Sequence, residues 1–166
     1  MLKVDASFIK TPIGAIALRY QASPFKLLAA DLTGRQTPGA AQGEAEPGIA
    51  QLRKIFRLVQ QYFAGRQISP PWDLLSLDYL TPLQQKVLYE TAQIPYGSLK
   101  TYQWIAGVIG RPRAYRFVGT ALGKNPFPII IPCHRVIRSD GRIGNFSAGP
   151  DIKQWLIDFE AGSLPA

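Results

Sequence analysis

Residues 125–137 carry the sequence Asn-Pro-Phe-Pro-Ile-Ile-Ile-Pro-Cys-His-Arg-Val-Ile. Three prolines within seven residues remove backbone donors and push the residues before them into extended conformations, so the segment predicts neither a helix nor a central strand. Its three consecutive isoleucines favour burial. We therefore expect a stiff stretch of chain that enters the core and holds Cys133 at a fixed, partly enclosed position.

Proline and glycine punctuation predicts four helices around this segment. They are expected at residues 82–94, 101–109, 112–122 and 150–161. The two middle helices are short and are separated by Gly110, which fits a helix-turn-helix as well as an ordinary packed pair. The last helix has a regular apolar stripe that predicts core residues, namely Ile152, Trp155, Leu156 and Phe159.

The amino-terminal third predicts a small antiparallel sheet, because three strand-like runs are separated by turn signals at residues 6–10, 15–20 and 26–32. Residues 34–48 lack apolar periodicity and predict a loop, and a helix is expected from Ile49 to Gly65. We expect an α+β protein with a first domain at residues 1–68, a linker at 69–80 and a mostly helical domain at 81–166.

Charge and cysteine content restrict the function. The 166-residue chain has a formal net charge of +8, and residues 98–142 hold eight basic side chains against Asp140 alone. This charge favours an anionic partner such as nucleic acid or a membrane surface. One cysteine and one histidine exclude an internal disulfide and a thiolate or imidazole zinc site. We expect neither a signal peptide nor a membrane span. We expect the protein in a reducing compartment such as the cytoplasm.

The single cysteine and the single histidine are neighbours, Cys133 and His134. A buried cysteine in apolar surroundings is usually inert, but His134 offers a base and Arg135 a cation that favours thiolate. Adjacent side chains on an extended segment point in opposite directions, so proton transfer needs a bridging water or a sharp turn. Glu160, near the end of the last helix, is the carboxylate we expect to fix the His134 tautomer.

The segment Ile131-Pro-Cys-His-Arg-Val136, with Asn125-Pro126 before it and Gly144-Asn145-Phe-Ser-Ala-Gly149 after it, resembles the active-site signature of the O6-alkylguanine-DNA alkyltransferases. The likeness extends over about residues 80–162. Upstream it rests on Thr11-Pro-Ile-Gly14 and the strand order, and implies a ribonuclease H-like amino-terminal domain.

The resemblance implies direct-reversal DNA repair without metal or cofactor. Cys133 would accept the alkyl group from O6 of guanine, and possible transfer from O4 of thymine follows from the same likeness. His134 would deprotonate Cys133 through a water, Glu160 would orient His134, and Asn125 would brace the turn. Tyr102 would help rotate the nucleotide and protonate the departing guanine. The thioether formed on sulfur could not be cleaved, so the protein would act once.

The resemblance also implies two groups of binding residues and a partner, double-stranded DNA that contains O6-alkylguanine. The DNA-binding group, in which Arg116 fills the space of the flipped base, comprises Arg116, Tyr102, Arg135, Arg113, Ala114, Gly119 and Lys124. The substrate pocket comprises Ile143, Asn145, Phe146, Ser147, Ala148 and Lys153. A monomer that requires no protein partner is expected, in the cytoplasm or nucleoid of a bacterium or the nucleus of a eukaryote.

Four residues depart from the family pattern. Tyr115 and Phe117 stand where small residues are usual in the recognition helix, and we expect both rings to face the core or the helix flank. Phe146 and Ala148 stand where tyrosine and glycine are common, so acceptance of bulky alkyl groups stays open.

Three other functions compete with repair. A relative that binds alkylated DNA and recruits repair factors would lack the nucleophile, whereas Cys133 is present. A cysteine hydrolase usually draws its cysteine and histidine from distant positions and carries an oxyanion device. A plain helix-turn-helix regulator would explain the charge but would leave Cys133 and His134 unused.

Overall fold

The computed structural model describes residues 3–32 and 49–164. The chain divides after Ser76 into two compact units. Part of the predicted linker belongs to the first unit, where residues Trp72–Leu74 form a 3-10 turn and Leu75 bridges to Leu27. The loop predicted at residues 34–48 lies outside the described residues.

The first unit is an antiparallel sheet with one helix. Strands β1 (Val4–Thr11), β2 (Gly14–Ala22) and β3 (Phe25–Leu32) pair in the order β1-β2-β3, which confirms the predicted sheet. Helix α1 (Ala50–Phe63) buries Leu52, Ile55, Val59 and Tyr62. Phe56 and Phe63 of this helix are only half-buried, because the buried face is centred on Ile55 and Tyr62.

The second unit is mostly helical. It contains α2 (Pro82–Ala92), α3 (Tyr102–Val108), α4 (Tyr115–Gly123) and α5 (Pro150–Glu160), and a short parallel pair of β4 (Lys100–Thr101) with β5 (Val136–Ile137). Its core takes residues from these helices and from the proline-rich segment, including Val87, Ile105, Val118, Ile130 and Leu156. On α5 only Leu156 and Phe159 of the predicted stripe are fully buried, whereas Ile152 and Trp155 are half-buried.

Local signals set most helix boundaries. Thr81 and Gln84 form a reciprocal capping box at the start of α2, and the Thr101 hydroxyl accepts from the Trp104 amide at 3.0 Å to cap α3. The predicted start of α4 at Pro112 is wrong. Pro112 instead occupies the second position of a β-turn, closed by the Ala114 amide donating to the Arg111 carbonyl at 2.8 Å.

The later start of α4 puts Tyr115 and Arg116 in its first turn. Helices α3 and α4 thereby form the two arms of the expected helix-turn-helix, and Gly110 between them has a φ of 77°, a conformation that favours glycine. Among the described helices, none combines the length and apolar character that a bilayer span needs.

Candidate active site

A turn, and not an extended strand, presents the cysteine. Residues Cys133–Arg135 form a 3-10 turn in which the Arg135 amide donates to the Pro132 carbonyl at 3.0 Å. The extended conformation expected for this part of the segment is therefore wrong. A sharp turn, one of the two arrangements that could let Cys133 and His134 cooperate in proton transfer, is present.

Asn125 braces the loop that leads into this turn. Its side-chain amide donates to the Ile131 carbonyl at 2.9 Å, and its side-chain oxygen accepts from the Phe127 amide at 3.0 Å. Between them Ile129 has a φ of 73°, which is strained for a β-branched residue and costs about 1–3 kcal/mol. The buried Asn125 hydrogen bonds and the buried isoleucines hold the loop in this strained shape.

Cys133 lies at an open cavity of about 970 Å³. The residue is buried, with 6% of its surface exposed, and it is among the residues that line the cavity. The cavity is also lined by Tyr102 of α3, by Arg116 and Gly119 of α4, and by residues 144–147. The thiol therefore shares an opening with the arginine of the helix-turn-helix.

The thiol of Cys133 is protonated at rest. Burial raises its pKa above the ordinary value, and the side chain of Asn125 and the charge of Lys153 lower it only in part. Thiolate chemistry at this site therefore needs a base that removes the proton during the reaction.

His134 and Glu160 provide a buried base. The His134 Nε2 atom and the Glu160 Oε1 atom are 2.6 Å apart, and the His134 side chain is fully buried. Burial lowers the pKa of His134, while the adjacent Glu160 opposes that effect, so the imidazole is neutral near pH 7. With Nε2–H donating to Glu160, the basic nitrogen is Nδ1.

Arg135 corrects two sequence expectations. It is 1% exposed, and its guanidinium donates to both Glu160 oxygens at 2.9–3.1 Å and to the Ile94 carbonyl at 2.6 Å. It therefore does not lie on a DNA-facing surface, because the turn directs it inward to the carboxylate. The cation that lowers the Cys133 pKa is Lys153, not Arg135.

Glu160 is held as a carboxylate by these neighbours. Burial would raise its pKa, but the hydrogen bonds and charges of His134 and Arg135 prevail and bring it to about 2. The second Glu160 oxygen also accepts from the Gly97 amide at 2.9 Å. The carboxylate thus connects α5 with the Cys133 turn and with Gly97, which lies after α2.

Lys153 is a buried cation beside Tyr102. Its ammonium donates to the Val136 carbonyl at 2.6 Å, and it lies 3.3 Å from the Tyr102 hydroxyl and 3.4 Å from the Asn145 carbonyl. Burial lowers the pKa of Lys153 to about 8. Burial also raises the pKa of Tyr102, which keeps that phenol protonated. A proton donor pair thus lies beside the cavity.

Gly144 makes room for Tyr102. A Cβ atom at this position would lie 2.8 Å from the Tyr102 hydroxyl, and the glycine has a φ of 73°. Of the six residues predicted for the pocket, Asn145, Phe146 and Ser147 line the cavity. The other three, Ile143, Ala148 and Lys153, are not among its lining residues.

The helix-turn-helix holds most of the residues predicted to bind DNA, and only some of them line the cavity. Of its predicted residues, Tyr102, Arg116 and Gly119 line the cavity, whereas Arg113 and Lys124 are exposed elsewhere and Ala114 is half-buried. The expectation for Tyr115 was wrong in part, because its ring is 46% exposed and lines the cavity. Phe117 is half-buried, as expected for the helix flank.

Arg138 is a cavity residue that the sequence reasoning missed. It lies 3.4 Å from Asp140, whereas Arg142 donates twice to the same carboxylate, at 2.6 and 2.9 Å. These contacts lower the pKa of Asp140 to about 2. Because Arg142 holds the carboxylate more closely, Arg138 retains positive character at the cavity wall. A count of charges along the chain could not show which arginine faces the cavity.

Within residues 3–32 and 49–164, no three His, Cys, Asp or Glu side chains gather in a way that could hold a metal ion.

Comparison with known proteins identifies the family. The DNA-binding domain of 6-O-methylguanine DNA methyltransferase matches residues 82–162. The chain is 45% identical over 112 residues to the methylated-DNA–protein-cysteine methyltransferase of Methanosarcina barkeri, an alignment that covers 68% of this chain and 70% of that protein. The chain belongs to the methylated-DNA–protein-cysteine methyltransferase family.

Two further methyltransferase comparisons cover nearly the whole chain. The family member from Mycobacterium bovis is 34% identical over 160 residues, which covers 95% of this chain and 93% of that protein. The crystal structure of Mycobacterium tuberculosis OGT in complex with DNA matches with a TM-score of 0.74 at 32% identity, covering 96% of this chain and 94% of that chain. The predicted family and α+β fold are confirmed.

Proposed function

We propose that this chain repairs alkylated DNA by moving an alkyl group from O6 of guanine to the sulfur of Cys133. One observation carries the proposal: the thiol lies at an open cavity that it shares with Arg116, next in the chain to a buried His134–Glu160 base. The name of the Mycobacterium bovis relative and the DNA complex of the Mycobacterium tuberculosis relative support it.

The lesion must leave the duplex to reach this sulfur. A base inside a helical stack cannot approach an enclosed thiol, and extrusion costs a few kcal/mol, least for a damaged pair. Arg116 is exposed in the first turn of α4 and lines the cavity, so it is placed to fill the vacated position. Arg138 adds positive charge for the DNA backbone.

The transfer is a displacement at the alkyl carbon. The Cys133 proton passes to Nδ1 of His134, through a water, and Glu160 stabilises the imidazolium that forms. Sulfur then forms a bond to the alkyl carbon while the bond from that carbon to O6 breaks, and its electron pair stays on oxygen.

The departing guanine anion needs a proton, which Tyr102 is placed to donate. The Lys153 ammonium, 3.3 Å from the Tyr102 hydroxyl, can return a proton to the phenol. One proton thus goes to His134 and one comes from the donor pair, so charge balances. The product thioether on Cys133 ends the reaction, and each molecule acts once.

The remaining site roles and the domain plan are part of the proposal. Asn125 shapes the Cys133 loop, Asn145, Phe146 and Ser147 line the guanine pocket, and Lys153 lies behind it against Tyr102. A structural domain at residues 1–68 and a linker at 69–80 precede the reactive domain at 81–166. We propose that a monomer acts without cofactor in the compartment that holds DNA, cytoplasm or nucleoid in a bacterium or nucleus in a eukaryote, and that O4-alkylthymine is a further substrate.

Mass spectrometry of the protein after incubation with an O6-methylguanine duplex tests this function. We expect one added methyl mass, located by peptide mapping on Cys133, and none in a Cys133→Ala variant that still binds the duplex. Tight binding of the alkylated duplex by the unchanged protein, without any mass change, would support a recruiting protein that does not repair. A methyl group on another residue would refute the assignment of Cys133.

A further inference from the structure

Tyr115, the first residue of α4, has an aromatic side chain that takes no part in the proposed transfer reaction. Tyr115 is 46% exposed and lines the same cavity as Cys133. A phenol has two flat apolar faces and one polar tip, so it suits a surface that is wet until a base covers it. The position of the ring at this opening favours a ligand with a flat aromatic surface that can stack on it.

The neighbouring arginine faces the same opening. The Arg116 guanidinium carbon lies 5.9 Å from the centre of the Tyr115 ring, within the range of a cation–π contact. Both side chains line the cavity, and they follow each other in the first turn of α4. The helix thus presents a ring and a cation together, whereas the next residues, Phe117 and Val118, are half-buried and buried.

We propose that Tyr115 is a second DNA wedge that acts beside Arg116. When Arg116 fills the place of the extruded nucleotide, the Tyr115 ring stacks on the adjacent base. The ring thereby opposes the return of the extruded nucleotide to the stack. This inference rests on the proposed repair function. Side chains that enter a base step unstack it, and aromatic stacking on a base favours binding whatever the sequence.

Single-turnover transfer from two substrates separates a wedge from a catalytic role. With protein in excess, we expect Tyr115→Ala to slow methyl transfer from an O6-methylguanine duplex about five- to a hundredfold, the range that stacking energies imply. Transfer from the free base O6-methylguanine should keep the rate of the unchanged protein, because no stack has to be opened. Tyr115→Phe keeps the ring and should restore most of the duplex rate.

Tyr89→Ala is the matched control. This tyrosine is 51% exposed on α2 and is not among the residues that line the cavity, so both rates should be unaffected. Thermal unfolding of each variant checks that the fold is retained. The salt dependence of DNA affinity should be the same with and without the Tyr115 ring, since an uncharged wedge contacts no phosphate.

A second readout is independent of the chemistry. In a Cys133→Ser background, a duplex with the fluorescent base 2-aminopurine at the position of the lesion should brighten when binding extrudes that base from the stack, and Tyr115→Ala should remove most of that gain. An unchanged duplex rate in Tyr115→Ala, or an equal fall in both transfer rates, would overturn the wedge. If the unchanged protein transfers no methyl group, the repair function fails, and the 2-aminopurine signal still decides the role of Tyr115.

Discussion

Replacing Glu160 by glutamine tests how the buried cluster behind Cys133 is held together. The Glu160 pKa is about 2 instead of the ordinary 4.5, so its folded-state interactions stabilise the protein by about 3 kcal/mol above the unfolded pKa. Because the folded pKa is depressed, that stability is present above pH 4.5 and is lost as the pH falls toward 2. About 2 kcal/mol of it disappears between pH 6 and pH 3.

Glu160→Gln should change both the free energy of unfolding at pH 6 and the dependence of that free energy on pH. At pH 6 the neutral amide leaves the buried Arg135 guanidinium without its counter-charge, which should lower the free energy of unfolding by about 3–5 kcal/mol. Between pH 6 and pH 3 the variant should lose about 2 kcal/mol less than the unchanged protein. Urea unfolding, followed by circular dichroism at both pH values, measures both quantities.

Asp140→Asn is the control for this experiment. Asp140 also has a pKa of about 2, but it pairs with Arg138 and Arg142 at an exposed surface where solvent screens the charges. We expect little change in stability at either pH. If Glu160→Gln kept the full pH 6 to pH 3 loss of the unchanged protein, the burial argument for Glu160 would be refuted.

Two further predictions concern the cavity wall. Gly144→Ala should slow duplex transfer at least tenfold by displacing the Tyr102 hydroxyl, and single-turnover rates that match the unchanged protein would contradict the fit at this glycine. Arg138→Ala should reduce the slope of log affinity against log salt by about 0.9, one phosphate contact, whereas Arg142→Ala should change it less because Arg142 is bound twice to Asp140. Equal slopes for the two variants would remove the distinction drawn between them.

The main elements of the fold could be predicted because their limits are local. Proline, glycine and threonine signals, such as the Thr81 cap, act within a few residues and do not depend on the rest of the chain. The start of α4 could not be predicted in this way. Pro112 fits the first turn of a helix and the second position of a β-turn equally well, and the Arg111–Ala114 hydrogen bond shows which one forms.

Some residues of the site could likewise be predicted from the sequence, whereas their contacts could not. Cys133 and His134 stand out as a rare neighbouring pair, and the place of Glu160 among apolar residues at the end of the last helix marks it as their carboxylate. The tight His134–Glu160 contact, in contrast, depends on the packing of α5. Arg135 was misplaced because a three-residue turn reverses the direction that an extended chain would give its side chain. The sequence shows that a charged side chain is present, and only the fold shows in which direction that side chain extends.

The stoichiometry of repair tests the central claim most directly. A measured amount of protein is incubated with excess O6-methylguanine duplex, and the restored guanine is counted by chromatography until the reaction stops. We expect a plateau at one restored guanine per protein molecule, since the thioether on Cys133 cannot be cleaved. Restoration of more than one guanine per protein molecule, or of none at all, would contradict the assignment of Cys133 as the acceptor.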